Sequence, residues 1–119
     1  MKLEEAIFAK IAPWTDVAFE LDDVVVFFDK YPVTQGHMLF VPKSDTPQNI
    51  TQALEMAYMF GNNLVRDSEC DAFNVGMNAG IAAGQTVMYP HIHMIPRRRG
   101  DMDEPAGGVR HVIPEKGKY

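Results

Sequence analysis

His91 and His93 stand two residues apart in a stretch of β-forming sequence, with Tyr89 two residues before them. A β-strand repeats every two residues, so these side chains share one face. Ile92 and Met94 then point the other way and supply an apolar core face. A strand with imidazoles on one side and core on the other suits the wall of a pocket. A neutral imidazole is a nucleophile near neutral pH, and its pKa lies where it can also exchange protons. Attack on phosphorus needs such a nucleophile, donors for the phosphate oxygens and a proton for the leaving group. The two histidines, with the Gln85 amide and the Thr86 hydroxyl nearby in sequence, meet that list. The same pair could instead hold a metal ion, with His37, Asp29 or His111 completing the ligand set.

The elements that must position these groups read as strands, one long helix, then strands. Val17 to Leu21 alternates weakly, Asp22-Asp23 signals a turn, and Val24 to Phe28 is a continuous β-branched and aromatic run that suits a buried strand. His37 to Val41 is a further strand, stopped by Pro42-Lys43. Residues 48–66 carry Ile50, Leu54, Ala57, Tyr58, Gly61, Leu64 and Val65 at helical spacing. Thr46 is the expected N-cap and Pro47 falls in the first turn. Phe73 to Asn78 is a short strand, Ala79 to Gly84 a Gly/Ala loop without the Lys-Ser/Thr of a P-loop, and Thr86 to Ile95 the last strand. The tail, about 98–119, is polar and irregular. Strands flanking one long helix give an α+β class.

Composition bounds the partners. The chain has 119 residues, enough for one domain spanning 1–119, with 46% hydrophobic and 23% charged residues. A net charge of −5 argues against a long nucleic-acid partner, which needs clustered Lys and Arg. It leaves room for a small anion, which reads the local field. Cys70 is the single cysteine, so no intrachain disulfide and no multi-cysteine zinc site can form; it reads as a small buried apolar residue. No stretch reaches the roughly 18 apolar residues of a membrane span, and the cytoplasm is the expected compartment. The Arg97–Arg99 run reads first as a solvated cluster, with contact to a distal phosphate as the alternative.

Gly84 to Arg97, GQTVMYPHIHMIPR, resembles the signature of the histidine triad (HIT) superfamily: Gly-Gln-Ser/Thr-Val, then three histidines separated by single apolar residues, then an apolar pair and often Pro-Arg. The likeness runs through most of the chain, in Ile7-Phe8 with Lys10-Ile11, in Phe27-Phe28-Asp29, Pro32, Gly36-His37 and Val41-Pro42-Lys43, and in Asn78. It implies an antiparallel sheet of about five strands with one long helix and a short N-terminal helix. It also implies a nucleotide hydrolase or transferase acting at an α-phosphorus, on a dinucleoside polyphosphate or a nucleoside phosphoramidate, without a cofactor. A non-catalytic nucleotide-binding protein is the alternative.

By position, the resemblance makes His91 the nucleophile that carries a covalent nucleotidyl intermediate, His93 a donor to the phosphate or bridging atom, and His37 the completion of the polar network. Gln85, Thr86 and Asn78 fall at phosphate positions, Asp29 at the ribose hydroxyls, and Phe8, Ile11 and Phe28 around the base. A homodimer joined through the long helix and an edge strand is implied as well. Ala6 and Ala9 stand where some relatives carry zinc-binding cysteines, so no metal is expected. The departure is Tyr89-Pro90, which replaces the first histidine and its apolar neighbour. The family uses the main-chain carbonyl at that position to hold the nucleophile's other ring nitrogen, and any residue supplies a carbonyl. Pro90 lacks an N–H, so it should lie at an edge or bulge.

Overall fold

The run Val24–Phe28 is buried from Val24 to Phe27 because both of its faces are covered. In the computed structural model, which describes all of residues 1–119, it forms β2, the second strand of a five-stranded antiparallel sheet. The others are β1 (Val17–Leu21), β3 (Met38–Pro42), β4 (Ala72–Gly76) and β5 (Ile92–Arg97), in the order β1-β2-β3-β5-β4. The tight turn at Asp22-Asp23 sets β1 against β2, with Asp22 at a φ of 44°.

Helix α2 (Pro47–Arg66) covers one face of the sheet. Its Ala53 and Ala57 pack with Val24, Val26, Phe40, Ile92 and Met94. Thr46 caps it, its hydroxyl accepting from the Asn49 N–H at 3.3 Å, and Pro47 occupies the first turn. Gly61 is buried where α2 crosses β4: a Cβ there would sit 2.5 Å from the Phe73 ring. The small residue is a packing requirement, which outweighs its poor helix propensity.

The other face meets the short helix α1 (Leu3–Phe8). Leu3 and Ala6 join Ala12, Val25, Phe27, Leu39, Val41 and Tyr89 in a second buried cluster, with Trp14 against it. This cluster fills only part of the face. The remainder carries the histidines, because Leu39 of β3 pairs with His93 of β5 and so fixes which residues project there.

Several boundaries differ from the sequence reading. The last strand begins at Ile92, six residues after the expected Thr86, and runs on through Pro96 to Arg97. Pro90 cannot donate to a ladder, and β3 pairs with β5 only from Phe40–Ile92 onward, so residues 86–91 form a loop. His37 likewise precedes β3, and β4 spans Ala72–Gly76 in place of Phe73–Asn78. The tail carries two short 3-10 turns, Gly108–Val112 and Pro114–Lys116.

Candidate active site

His91 sits one residue before β5, at the mouth of the face that α2 does not cover. Its Nδ1 lies 2.8 Å from the Tyr89 carbonyl oxygen. A carbonyl only accepts, so Nδ1 carries the hydrogen and Nε2 keeps a free lone pair. The Tyr89 side chain does something else. It is 2% exposed, lies in the α1-side core and donates its hydroxyl to the Pro42 carbonyl at 2.7 Å. The strand period had placed it beside the two histidines; the loop conformation before β5 turns it into the core. Burial pushes its phenol up to about 12, with help from the charges of Asp45 and Glu5.

His37 and His93 form a second unit. The Val33 N–H donates to His37 Nδ1 at 3.0 Å, so the His37 hydrogen must be on Nε2. That atom lies 2.9 Å from His93 Nδ1. His93 Nδ1 is therefore an acceptor, and its own hydrogen is on Nε2. Two backbone groups, one donor and one acceptor, thus fix three imidazoles: His91 offers a lone pair and His93 offers an N–H. The rings of His91 and His93 stand 5.2 Å apart, centre to centre.

Burial lowers the pKa of all three rings. For His91 it outweighs the opposing pull of the Tyr89 carbonyl and Asp29; for His37 it outweighs Asp29. His93 is held down to about 4 by burial first, then by His91 and His37. At neutral pH the rings are uncharged, the state in which an imidazole keeps a nucleophilic lone pair.

Asp29 follows β2 and stands beside this unit, its Oδ2 3.5 Å from His37 Nε2. Its Oδ1 accepts from the Tyr31 N–H at 2.8 Å, which fixes the carboxylate in a local turn. Asp29, His37 and His93 bring ligand atoms within 4.8 Å of one another and are the groups that could hold a cation. His37 and His93 are bonded to each other, however, so an ion would have to displace that hydrogen bond. His111 lies outside the group.

A cleft of about 670 Å³ opens onto these residues, within the size range of small-molecule sites. Its lining includes His91, His93, Asp29, Phe28, Asn78 and Thr86, so the structure gathers most of the residues expected from sequence. Gln85 acts one step away. Its side-chain oxygen accepts from the Gly80 N–H at 2.7 Å and its amide donates to the Val87 carbonyl at 3.0 Å, bracing the loop that carries Thr86.

Phe8 and Ile11 are not brought to the cleft. Phe8 is 91% exposed, because Leu3 and Ala6 set the inward face of α1 and Phe8 falls on the opposite side. Sequence reasoning missed Trp14, which takes the place beside His91: its ring centre is 4.9 Å from that of His91 and 5.9 Å from that of Phe27. A tryptophan directly after Pro13, between helix and sheet, was the available signal. Lys30 is the cleft's only cation, and Tyr31 also lines it. A larger hollow, about 780 Å³, lies at the start of α2 and contains no histidine.

The Arg97–Arg99 run is tied down elsewhere. Arg97 makes a two-point contact with Asp101 at 2.8 and 2.9 Å and reaches the Asn74 oxygen at 2.8 Å. The hydrogen bond from Arg97 holds the Asp101 carboxyl down to about 2. Arg98 donates to the Gln35 carbonyl at 2.9 Å. No helix of the protein is long and apolar enough to cross a membrane.

Comparison with known proteins gives a consistent picture. A family model described as HIT domain matches residues 13–100. An adenylylsulfatase from Arabidopsis thaliana is 33% identical over 90 residues, covering 70% of this chain and 46% of that protein. An asymmetrical bis(5'-nucleosyl)-tetraphosphatase from Schizosaccharomyces pombe is 27% identical over 108 residues, covering 85% and 59%. The chain thus spans less than two thirds of the length of either enzyme. Among solved structures, a zinc-bound histidine triad family protein from Mycobacterium smegmatis superposes with a TM-score of 0.68 at 29% identity, over 83% of this chain and 76% of that one.

Proposed function

The chain belongs to the HIT domain family, and from that premise we propose that it is a nucleotide hydrolase or nucleotidyl transferase acting at the α-phosphorus of a nucleoside polyphosphate or phosphoramidate. The observation that carries this reading is the fixed tautomer of His91: Nδ1–H on the Tyr89 carbonyl at 2.8 Å leaves the Nε2 lone pair for the phosphorus. The carbonyl comes from the main chain, so a tyrosine in place of the first histidine leaves this bond intact.

The steps follow from the donors and acceptors. His91 Nε2 attacks the α-phosphorus and forms a nucleotidyl-imidazole; the positive charge that develops on the ring is eased by the Tyr89 carbonyl. The bond from phosphorus to the bridging atom breaks as the N–P bond forms, and the bonding pair departs on that atom with the leaving group; His93 Nε2–H donates to it or to a phosphate oxygen. Water then attacks the same phosphorus and releases the monophosphate. Asp29 suits the vicinal hydroxyls of a ribose, and Phe28 with Trp14 offers an apolar slot for the base. The active species is read as a homodimer, with the free edge of β4 and the exposed Leu54, Tyr58 and Met59 of α2 as the contact; its mass in solution tests that part.

Incubation with a dinucleoside polyphosphate and with a nucleoside phosphoramidate, followed by a denaturing alkaline quench and mass spectrometry, should show one nucleotidyl adduct on His91. His91→Ala should lose the adduct and at least ~10³-fold in turnover. Full turnover in His91→Ala refutes the mechanism. Nucleotide affinity without turnover or adduct in the wild type favours the alternative, a non-catalytic nucleotide-binding protein.

A further inference from the structure

The wall of the cleft beside β1 carries two charges that the chemistry above does not use. Asp16 and Lys30 both line it. The Phe28 N–H donates to the Asp16 carbonyl at 2.8 Å, so Asp16 stands directly across the sheet from Phe28, one of the two rings offered to the base. Lys30 follows two residues after Phe28, just beyond Asp29. Its ammonium lies 5.9 Å from the centre of the Tyr31 ring, a distance at which the ring attracts a cation. The apolar slot is thus flanked by a carboxylate before β1 and an ammonium after β2.

Both charges are free. Elsewhere Lys43 is spent on Glu20, Arg97 on Asp101 and Lys118 on Glu104. Asp16 and Lys30 enter no ion pair of the protein, not even with each other. A free anion and a free cation on one cleft suit a ligand that sets hydrogen-bond donors beside an acceptor. The two purines differ here. Guanine carries its O6 acceptor next to two donors, N1–H and the N2 amine. Two parallel N–H groups match the two oxygens of one carboxylate, and O6 takes the ammonium. Adenine offers a carboxylate only its N6 amine, so one carboxylate oxygen is left without a partner.

We propose that Asp16 and Lys30 read the base of the nucleotide and select guanine over adenine. The Asp16 carboxylate accepts from N1–H and the N2 amine, and the Lys30 ammonium donates to O6. This rests on the reading of the cleft as a nucleotide site and is independent of the reactivity of His91. Hypoxanthine keeps N1–H and O6 but lacks the N2 amine, so it ranks between the two purines.

The test is titration calorimetry with the 5'-monophosphates of guanosine, inosine and adenosine. The guanosine nucleotide should bind about tenfold tighter than the adenosine nucleotide, the scale a two-point contact to a base edge gives, with the inosine nucleotide between them. Asp16→Asn replaces one accepting oxygen by an amide N–H₂ and should bring the guanosine-to-adenosine ratio close to one. Lys30→Met keeps the stem without the donor and should narrow the ratio. Both side chains are exposed, so the fold tolerates these changes. Asp22→Asn makes the same change of charge in the β1–β2 turn and should leave the ratio as it is. Equal affinities in the wild type, tighter adenosine binding, or a ratio unchanged in Asp16→Asn overturns the proposal. An equal loss for all three nucleotides in Lys30→Met assigns the ammonium to the phosphate and overturns its role at the base. Failure of all three to bind removes the nucleotide reading and this proposal together. A guanine preference in a protein that forms no adduct on His91 supports the proposal and refutes only the mechanism above.

Discussion

Acid should destabilise this protein through the imidazoles of the site, with His93 contributing most visibly. In the folded protein that ring protonates only near about 4, whereas its ordinary value is 6.5. Between those two values the unfolded chain binds a proton that the folded chain does not, so stability is complete above pH 6.5 and falls as the pH drops through the window. Each tenfold in proton affinity is about 1.4 kcal/mol, which caps the loss from His93 at about 3 kcal/mol. The ring is partly open to the cleft, and solvent screening reduces this to about 2 kcal/mol by pH 4.5. His37 and His91 act in the same direction. Against a total stability of about 5–15 kcal/mol for a domain, that is a large share. The assay is urea unfolding at pH 7.5 and pH 4.5 for the wild type and for His93→Gln. The variant loses the bond from His37 at both pH values, so the comparison is of the change with pH and not of absolute stability. The variant should lose about 2 kcal/mol less than the wild type between the two conditions. Equal losses would show that His93 titrates normally and would refute the neutral, pre-set imidazoles on which the site depends.

Three further substitutions probe the frame that holds the site. Gly61→Ala gains about 1 kcal/mol of helix propensity, yet its Cβ would stand 2.5–2.7 Å from three Phe73 ring atoms; overpacking of about 1–3 kcal/mol should win, and a higher melting temperature would contradict this. Pairing it with Phe73→Leu should recover part of the loss. Tyr89→Phe removes the donor to the Pro42 carbonyl and should lower stability by about 1–2 kcal/mol in denaturant titration. Asn49→Ala strips the partners from the Ser44 N–H at 2.7 Å and the Asp23 carbonyl at 3.0 Å, and should cost about 2–3 kcal/mol; a loss below 0.5 kcal/mol is the contrary result.

The elements with strong local signals were legible in the sequence. Thr46-Pro47 and the helical repeat place α2 almost to the residue, and the Val24–Phe28 run gives β2, because capping and continuous burial are short-range properties. Residues 86–91 were not legible in the same way. Their composition suits a strand, but ladder formation depends on where β3 stops pairing, which is a long-range fact. The site follows that division. His91 and His93 were identifiable from type and spacing, and the resemblance to the family pointed to the carbonyl at position 89. The Tyr89 side chain went to the core, the Phe8 side chain to solvent, and Trp14 to the His91 ring. The first depends on the loop before β5 and the second on how α1 rotates against the sheet, and a six-residue helix carries too few apolar positions to reveal its rotation.

Trp14 has a consequence for observing the chemistry. It is the only tryptophan in the chain, and its indole lies against the His91 ring. An excited indole gives up an electron readily to an imidazolium and poorly to a neutral imidazole. The ring is neutral in the resting protein and cationic both when protonated and when it carries a nucleotide. The emission of this indole therefore reports the charge on one imidazole ring. On the proposed mechanism each turnover becomes a dimming and a recovery of the protein's own light, and the lifetime of the covalent species can be followed without a label.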